Sequence, residues 1–524
     1  MGWAVLPASL LTGGLMGLLK ISSKDKPACT PARRQDCPPH AVACWSLMRF
    51  VLTFALAASS YAANLEARID QVLNANPLFK RSVAGIHVVS LDSHKVLYAH
   101  NADSFFVPAS NMKLFTTALA LLRLGPSHTF TTRLITDASG NLVLVGGGDP
   151  SLSGREYPYR KESTNRPPLS ALEQLVDHAL AAGLQQVDGD IIGDDTFYPW
   201  DPYPPNWSQD DALGADGAPV SALTLNDNVI SLRIRAGEKA GEPVEILPWP
   251  SIEYFAIDNR IVTGEARSLR RVEVSHTQGS RQVMLSGSIP AASPLSVVSV
   301  AVDDPALFAA CALYEVLARK GISVRGVPIA RHRSVGETPL AVTGRAWAIR
   351  TSPPLPQLLQ MTDKVSQNLH AELMLREVAR VNLGDGTRES GVKLLGTLMH
   401  EIGGAADEIR VDDGSGLSRN AEVTPHLVTR LLTYMFASDQ KDAWMSLLPV
   451  GGEDGTLSHR LCCASESRNI LAKTGTLSRA SALSGYADTE TRGKLAFSIL
   501  INNFGARTQE VQAWIDKIAL ALLE

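Results

Sequence analysis

Cysteine is scarce in this chain: six among 524 residues, three of them (Cys29, Cys37 and Cys44) within the first 62. The other three, Cys311, Cys462 and Cys463, are odd in number and include an adjacent pair, which excludes a disulfide framework. An excess of either charge is also lacking. Lys and Arg number 49 against 53 Asp and Glu, a formal net charge of −4. That excludes a nucleic-acid binder working by phosphate neutralisation. There is no low-complexity tract, and with 45% hydrophobic residues wholesale disorder is excluded as well. Beyond residue 62 no apolar run approaches the roughly 20 residues of a membrane-spanning helix. At roughly 100–200 residues per domain, the length suggests two to four domains.

What is present begins with an export signal. Arg49 precedes an apolar run, Phe50–Ala58, and small residues follow, with Ser60-Tyr61-Ala62 in the place of a cleavage site. The run is too short to span a membrane and has no stop-transfer flank, so residues 48–62 read as a signal peptide and the mature protein as periplasmic or otherwise exported. Residues 1–47, with an apolar Gly-rich stretch and no preceding charge, read as an upstream over-extension, Met48 being the expected start. Deleting residues 1–62 removes six Lys/Arg and two acids and leaves a net charge of −8. No polybasic anchor is suggested.

Along the rest of the chain the periodicity changes twice. A short helical stretch is followed by a predicted hairpin, Gly85–Ser90 and Lys95–Ala99. A helix carrying Leu114, Phe115, Ala118, Leu119 and Leu122 comes next and stops at Gly125-Pro126. From about 126 to 299 short strand-like runs dominate, such as 130–135, 142–145 and 229–234, with one helix near 169–182. From about 305 helices return at 305–320, 356–383, 391–402 and 424–436. The end is two strands, 482–487 and 494–501, and a helix at 509–523. Cys311, in an apolar helical pattern, is expected to be a small core residue. Front and back can share one sheet if the chain ends meet. The expectation is an α+β protein whose catalytic domain, 63–125 and 300–524, is split by strand-rich inserted material at 126–299.

Three short motifs occur in order: Ser110-Asn111-Met112-Lys113, Ser366-Gln367-Asn368 and Lys473-Thr474-Gly475. A serine hydroxyl is a weak nucleophile until a base takes its proton. A lysine three residues on lies on the same helical face. It serves as a base only if its pKa falls from about 10.4 towards neutrality, which a second cation such as Lys473 promotes. Ser366 could relay the proton to a leaving amine, and Asn368 could orient a substrate amide. Each motif alone is weak. Ser-x-x-Lys occurs four times, at Ser23, Ser110, Ser390 and Ser438, and Ser-x-Asn five times; Lys-Thr-Gly occurs once. Context favours Ser110, which follows a hairpin and opens an apolar helix. Ser390 is the best decoy, since it too starts an apolar helix.

The trio and its order, with the long gap between Ser110 and Ser366, resemble the low-molecular-mass class C penicillin-binding proteins. These are the D-alanyl-D-alanine carboxypeptidases/endopeptidases of peptidoglycan metabolism. Further stretches agree: Gly147-Gly148-Asp149-Pro150, Asp413-Gly414-Ser415-Gly416-Leu417-Ser418-Arg419, Leu448-Pro449-Val450 with Asp454-Gly455-Thr456-Leu457, and Lys473-Thr474-Gly475-Thr476. Ser366-Gln367-Asn368 departs from many relatives, which carry Asp in the middle. The resemblance implies a penicillin-binding/β-lactamase-like catalytic fold, an antiparallel sheet with helices. It implies Ser110 as nucleophile, Lys113 as base and Ser366 as relay. Asn368, Lys473, Thr474 and Thr476 would bind substrate, with an oxyanion hole from the N–H groups of Ser110 and Thr476. Asp194 is the candidate for contacting the peptide's diamino acid. The implied substrates are peptidoglycan stem peptides, with β-lactams as covalent inhibitors.

No metal or cofactor is implied: His400-Glu401 has no second His at metalloprotease spacing, and no Cys/His cluster has zinc spacing. Two alternatives stand beside the D,D-peptidase. One is a β-lactamase or esterase with the same trio, which the large insertion disfavours. The other is a non-catalytic peptidoglycan-binding protein, which five intact polar residues disfavour.

Overall fold

The computed structural model describes residues 65–75, 81–162, 166–277, 279–405, 408–462 and 464–524. The segments 1–47 and 48–62, and Cys463, lie outside the described residues. The two ends of the described chain do meet in one sheet. Its strands run in the order Ile470–Leu477, Ala480–Thr489, Gly493–Asn502, Val83–Ser90 and Val96–His100, antiparallel throughout. Side chains alternate across a strand, and Gly493–Asn502 uses both faces. Leu495, Phe497, Ile499 and Ile501 pack with the helices Leu65–Ala75 and Thr508–Ala521. Ala496 and Leu500 face the opposite layer, built on Met112–Leu124, Leu355–Lys364, Asn368–Leu383 and Pro425–Ala437. The nucleophile helix, Met112–Leu124, is buried from Met112 to Leu121 and ends at Gly125, whose φ of 79° a glycine adopts without penalty.

One helix expected from the sequence is two. The apolar pattern over 356–383 continues through a break: Leu355–Lys364 ends, Ser366 takes φ 65°, and Asn368–Leu383 begins with the Gln367 side chain accepting from Leu369 N–H. A left-handed non-glycine residue costs about 1–3 kcal/mol and persists only where its surroundings impose it.

The second large sheet is mixed, in the order Pro328–Arg331, Ile191–Asp194, Leu142–Val145, Thr131–Thr136 and Arg345–Thr351. It carries the strand-rich material past residue 299, where the sequence pattern ends it. The helix Pro305–Arg319 packs on this sheet, its Ala306 carbonyl so close that a Cβ on Gly193 would lie 1.9 Å away. Cys311 on that helix is buried in the second core, and burial pushes its thiol up to about 11. Two three-stranded sheets intervene in the chain between Ile191–Asp194 and Pro328–Arg331, one centred on Val229–Arg235 and one on Gln282–Pro290. Among the described residues no helix is long and apolar enough to cross a membrane.

Candidate active site

Ser110 lies in a tight 3-10 turn, Ala109–Asn111, that feeds the nucleophile helix. Ala109 is left-handed, φ 48°, and its carbonyl faces Gly416, where a Cβ would stand 1.9 Å from it. Only glycine at 416 lets the loop 413–418 approach so closely. That loop is tied from three sides. Asp413 accepts the N–H groups of Gly416 and Ser418 and the Trp207 indole N–H. Glu372 Oε1 accepts the N–H groups of Gly414 and Ser415 at 2.9 and 2.8 Å. Thr116 Oγ1 donates to the Gly414 carbonyl.

The loop presents the Ser415 carbonyl to Lys113. Lys113 Nζ donates to it at 2.8 Å, to Asn368 Oδ1 at 2.5 Å and to Ser110 Oγ at 2.9 Å. Lys113 is fully buried, and burial lowers its pKa to about 8, against the opposing pull of Asp413, Asp363, Glu372 and Asp216. A neutral amine has two hydrogens and one lone pair. With Ser415 O and Asn368 Oδ1 able only to accept, the two hydrogens go to them and the lone pair is left to face Ser110 Oγ.

Lys473 approaches from the edge strand. Its Nζ donates to Ser366 Oγ and to the Thr474 carbonyl, both at 2.9 Å. It too is fully buried, and its pKa is lowered by burial first and by Lys113 second. Asn111 Nδ2 donates to the Lys473 carbonyl, joining the nucleophile turn to this strand. Ala472 N–H points outward, to Pro449 O. By strand alternation the N–H groups of Thr474 and Thr476 point the same way. Thr474 Oγ1 donates to Thr456 Oγ1, and exposed Thr476 accepts from Gln512 Nε2.

Two hydrogen-bonded sets thus lie side by side, Ser110–Lys113–Asn368 and Ser366–Lys473–Thr474, tied by Asn111 on the Lys473 carbonyl, with Thr476 two residues along the edge strand. A family model, the D-Ala-D-Ala carboxypeptidase 3 (S13) family, matches residues 65–522. The chain belongs to that family. A D-alanyl-D-alanine carboxypeptidase from an Actinomadura species is 32% identical over 493 residues, covering 90% of this chain and 87% of that protein. The DacB carboxypeptidase of Haemophilus influenzae is 25% identical over 436 residues, 81% of this chain and 86% of its own length. The crystal structure of penicillin binding protein 4 from Haemophilus influenzae shares the fold, with a TM-score of 0.73 at 23% identity over 87% of this chain and 98% of that one.

Within this member of the carboxypeptidase family one sequence expectation changes and one gains a second partner. Asp194 is not at the site. It is fully buried in its strand, with Oδ1 accepting from Thr196 N–H and Oγ1 and Oδ2 paired with Arg331 at 3.1 Å. A buried carboxylate in a strand-end turn needs those partners, and it has none to spare for a peptide. Asn368 is at the site, but both ends of its amide are engaged: Oδ1 by Lys113 and Nδ2 by the Asp216 carbonyl at 2.8 Å. The second Nδ2 hydrogen is left for the expected contact to a substrate amide. Sequence reasoning also missed Glu372 and Asp413, which set the Ser415 carbonyl. The signal for Asp413 was the Asp-Gly-Ser-Gly stretch, whose paired glycines mark a close backbone approach; Glu372 had none.

Among the described residues one group of three possible metal donors lies together, Asp103, Glu408 and His426. His426 Nδ1 is hydrogen-bonded to Asp103 and Glu408 is paired with Arg430, so these atoms are already engaged, and none belongs to the Ser110 group.

Proposed function

We propose that this chain is a serine D,D-peptidase that cleaves D-alanyl-D-alanine termini, D-alanyl–diamino-acid cross-links or both in peptidoglycan, through an acyl-enzyme on Ser110. The observation that carries this reading is Lys113: buried, deprived of any direct carboxylate partner, and oriented by two acceptors so that its free pair meets the Ser110 hydroxyl. With a pKa of about 8, about one molecule in ten carries the free amine at pH 7, against about one in 2,500 for an ordinary lysine.

Ser110 Oγ attacks the carbonyl of the penultimate D-alanine while Lys113 takes its proton. The oxyanion sits between the N–H groups of Ser110 and Thr476, the second of which faces outward from the edge strand. Such a donor supplies about 3–4 kcal/mol of transition-state stabilisation. Ser366 passes to the departing amine the proton that Lys113 took, which leaves Lys113 free again. Lys473 and Thr474, with Thr476 beside them, receive the terminal carboxylate. Water then cleaves the ester, activated by the same lysine. A β-lactam presents a carbonyl and a carboxylate to the same groups and acylates Ser110.

The site belongs to a catalytic portion of residues 65–125 and 352–524. Residues 126–351 form the insertion, because the strands up to Thr351 pair with the second sheet. Residues 48–62 would serve as a signal peptide for export.

Intact-mass analysis after treatment with fluorescent penicillin tests the reading. One stable adduct in the protein, lost in Ser110→Ala, is expected. Rapid drug hydrolysis with no lasting adduct would assign a β-lactamase instead, and neither adduct nor hydrolysis from folded protein would leave a peptidoglycan-binding protein.

A further inference from the structure

One stretch that stands out in the sequence, Asp454-Gly455-Thr456-Leu457, plays no part in the reaction as derived, yet it is pinned from several sides. Asp454 Oδ1 accepts the Val450 N–H at 2.8 Å. Its Oδ2 pairs at 2.6 Å with Nζ of Lys364, the last residue of the helix before Ser366. Gly455 N–H donates to the hydroxyl of Tyr159, a residue of the insertion, at 3.0 Å. Gly455 has φ 54°, and a Cβ there would stand 2.6 Å from the Lys364 carbonyl, so the backbone packs too closely for a side chain. Leu457 is fully buried, its N–H bonded to the Asp454 carbonyl and its own carbonyl accepting from Gly452 N–H.

Held between Gly455 and Leu457, Thr456 is half-buried and sets its Oγ1 2.8 Å from Thr474 Oγ1. Thr474 is buried on the edge strand Ile470–Leu477, one residue from Lys473. Each hydroxyl has one hydrogen to give and two lone pairs to accept with. With Thr474 donating to Thr456, the Thr456 hydrogen is uncommitted.

We propose that Thr456 is a positioning residue for the substrate's terminal carboxylate, acting through the Thr474 hydroxyl. The proposal rests on the serine D,D-peptidase reading. A carboxylate only accepts, so Thr474 must turn its one hydrogen from Thr456 towards the substrate. The pair then reverses: the Thr456 hydrogen takes the vacated place and is donated to Thr474 Oγ1. The hydroxyl pair keeps its bond in the exchange, and a hydroxyl that accepts one hydrogen bond donates a stronger one. Without the Thr456 hydroxyl, Thr474 has neither its resting acceptor nor the donor that fixes its rotation. The anchors of the loop place that donor, Lys364 through Asp454 and the insertion through Tyr159 on Gly455. The insertion thereby has a hand in carboxylate recognition at the edge strand.

The test is a double-mutant cycle on kcat/KM for D-alanine release from an acylated peptide ending in D-Ala-D-Ala. Thr456→Val keeps the shape of the side chain and removes the hydroxyl; it is expected to lower kcat/KM about tenfold. Thr456→Ser, which keeps the hydroxyl, is expected to stay within about threefold of wild type. Because Thr456 acts through Thr474, adding Thr456→Val to Thr474→Val is expected to cost less than about twofold further. A residue that merely supported the loop would give losses that multiply in the double variant. Multiplying losses, wild-type kinetics in Thr456→Val, or a serine variant as slow as the valine one would each overturn the proposal. Thermal unfolding checks that Thr456→Val is folded. If it is not, the cycle is run with Thr456→Ala, and multiplying losses there again overturn the proposal. A failure of the peptidase reading looks different: wild-type protein then releases no D-alanine and forms no Ser110 adduct.

Discussion

Ser110–Lys113 and Ser390–Lys393 share a spacing and a position at the start of an apolar helix, yet only one pair is chemically changed. Lys113 Nζ lies 2.9 Å from Ser110 Oγ and is fully buried. Ser390 Oγ donates to Asp385 Oδ2 at 2.6 Å, its N–H is capped by Thr387, and Lys393 is exposed. The difference lies in what covers each helix. Met112–Leu124 shares one core with the antiparallel sheet and the helix Asn368–Leu383, and every residue from Met112 to Leu121 is buried. Arg388–Glu401 buries only Gly391, Leu395, Leu398 and Met399. A three-residue spacing aligns a serine with a lysine, but desolvation makes the lysine a base, and desolvation is set by neighbours hundreds of residues away.

The largest contrast is in the serines. Ser110→Ala is expected to abolish penicillin labelling and to lower peptide turnover by about 10³-fold or more, while Ser390→Ala labels like wild type; gel fluorescence and D-alanine release read both. Exchanging the lysines comes next. Lys113→Ala should slow acylation by about 10²–10⁴-fold, and Lys393→Ala should stay within about twofold, by stopped-flow acylation. The comparison sharpens at Gly416, whose loop gives the first pair its carbonyl. Gly416→Ala places a Cβ 1.9 Å from the Ala109 carbonyl in a left-handed backbone. A loss of about 1–3 kcal/mol in denaturant unfolding is expected, with slower acylation. The mildest probe is pH. Because Lys113 acts as the free base, acylation should rise as pH passes through about 8. Its folded pKa lies below the unfolded value, so the folded state holds fewer protons between the two. Stability should therefore climb from pH 8 towards about 10.4. Lys113→Met should make that climb shallower, the buried Lys473 carrying the rest, and the Lys393 counterpart should leave it unchanged.

Much of the group around Ser110 was legible because its spacing survives in the sequence: Ser110 with Lys113, Ser366 with Asn368, and Lys473 with Thr474. Strongly periodic elements were legible for the same reason, the strand Leu142–Val145 to the residue and the helix Ser170–Ala181 to within one. The break at Ser366 was not, because apolar residues keep helical period across it and only the backbone angle marks it. Strands such as Ala256–Gly264 were hidden by their exposure: with one edge wet they carry Asp258, Asn259 and Arg260 in succession and show no alternation. Asp194 was misread because a buried acid paired with an arginine looks, in sequence, like any turn aspartate. Glu372 left no local signal, since it is buried by segments remote in the chain.

The antiparallel sheet has a consequence for when this chain becomes an enzyme. Val83–Ser90 pairs along its length with Leu495–Asn502, and the nucleophile turn is tied to Lys473 by Asn111. These contacts close loops of several hundred residues, the kind that form late and slowly. A ribosome that has made the serine, its base and the whole insertion has still made no active site. The catalytic group assembles only when the last strands arrive, so incomplete chains carry the nucleophile without its reactivity.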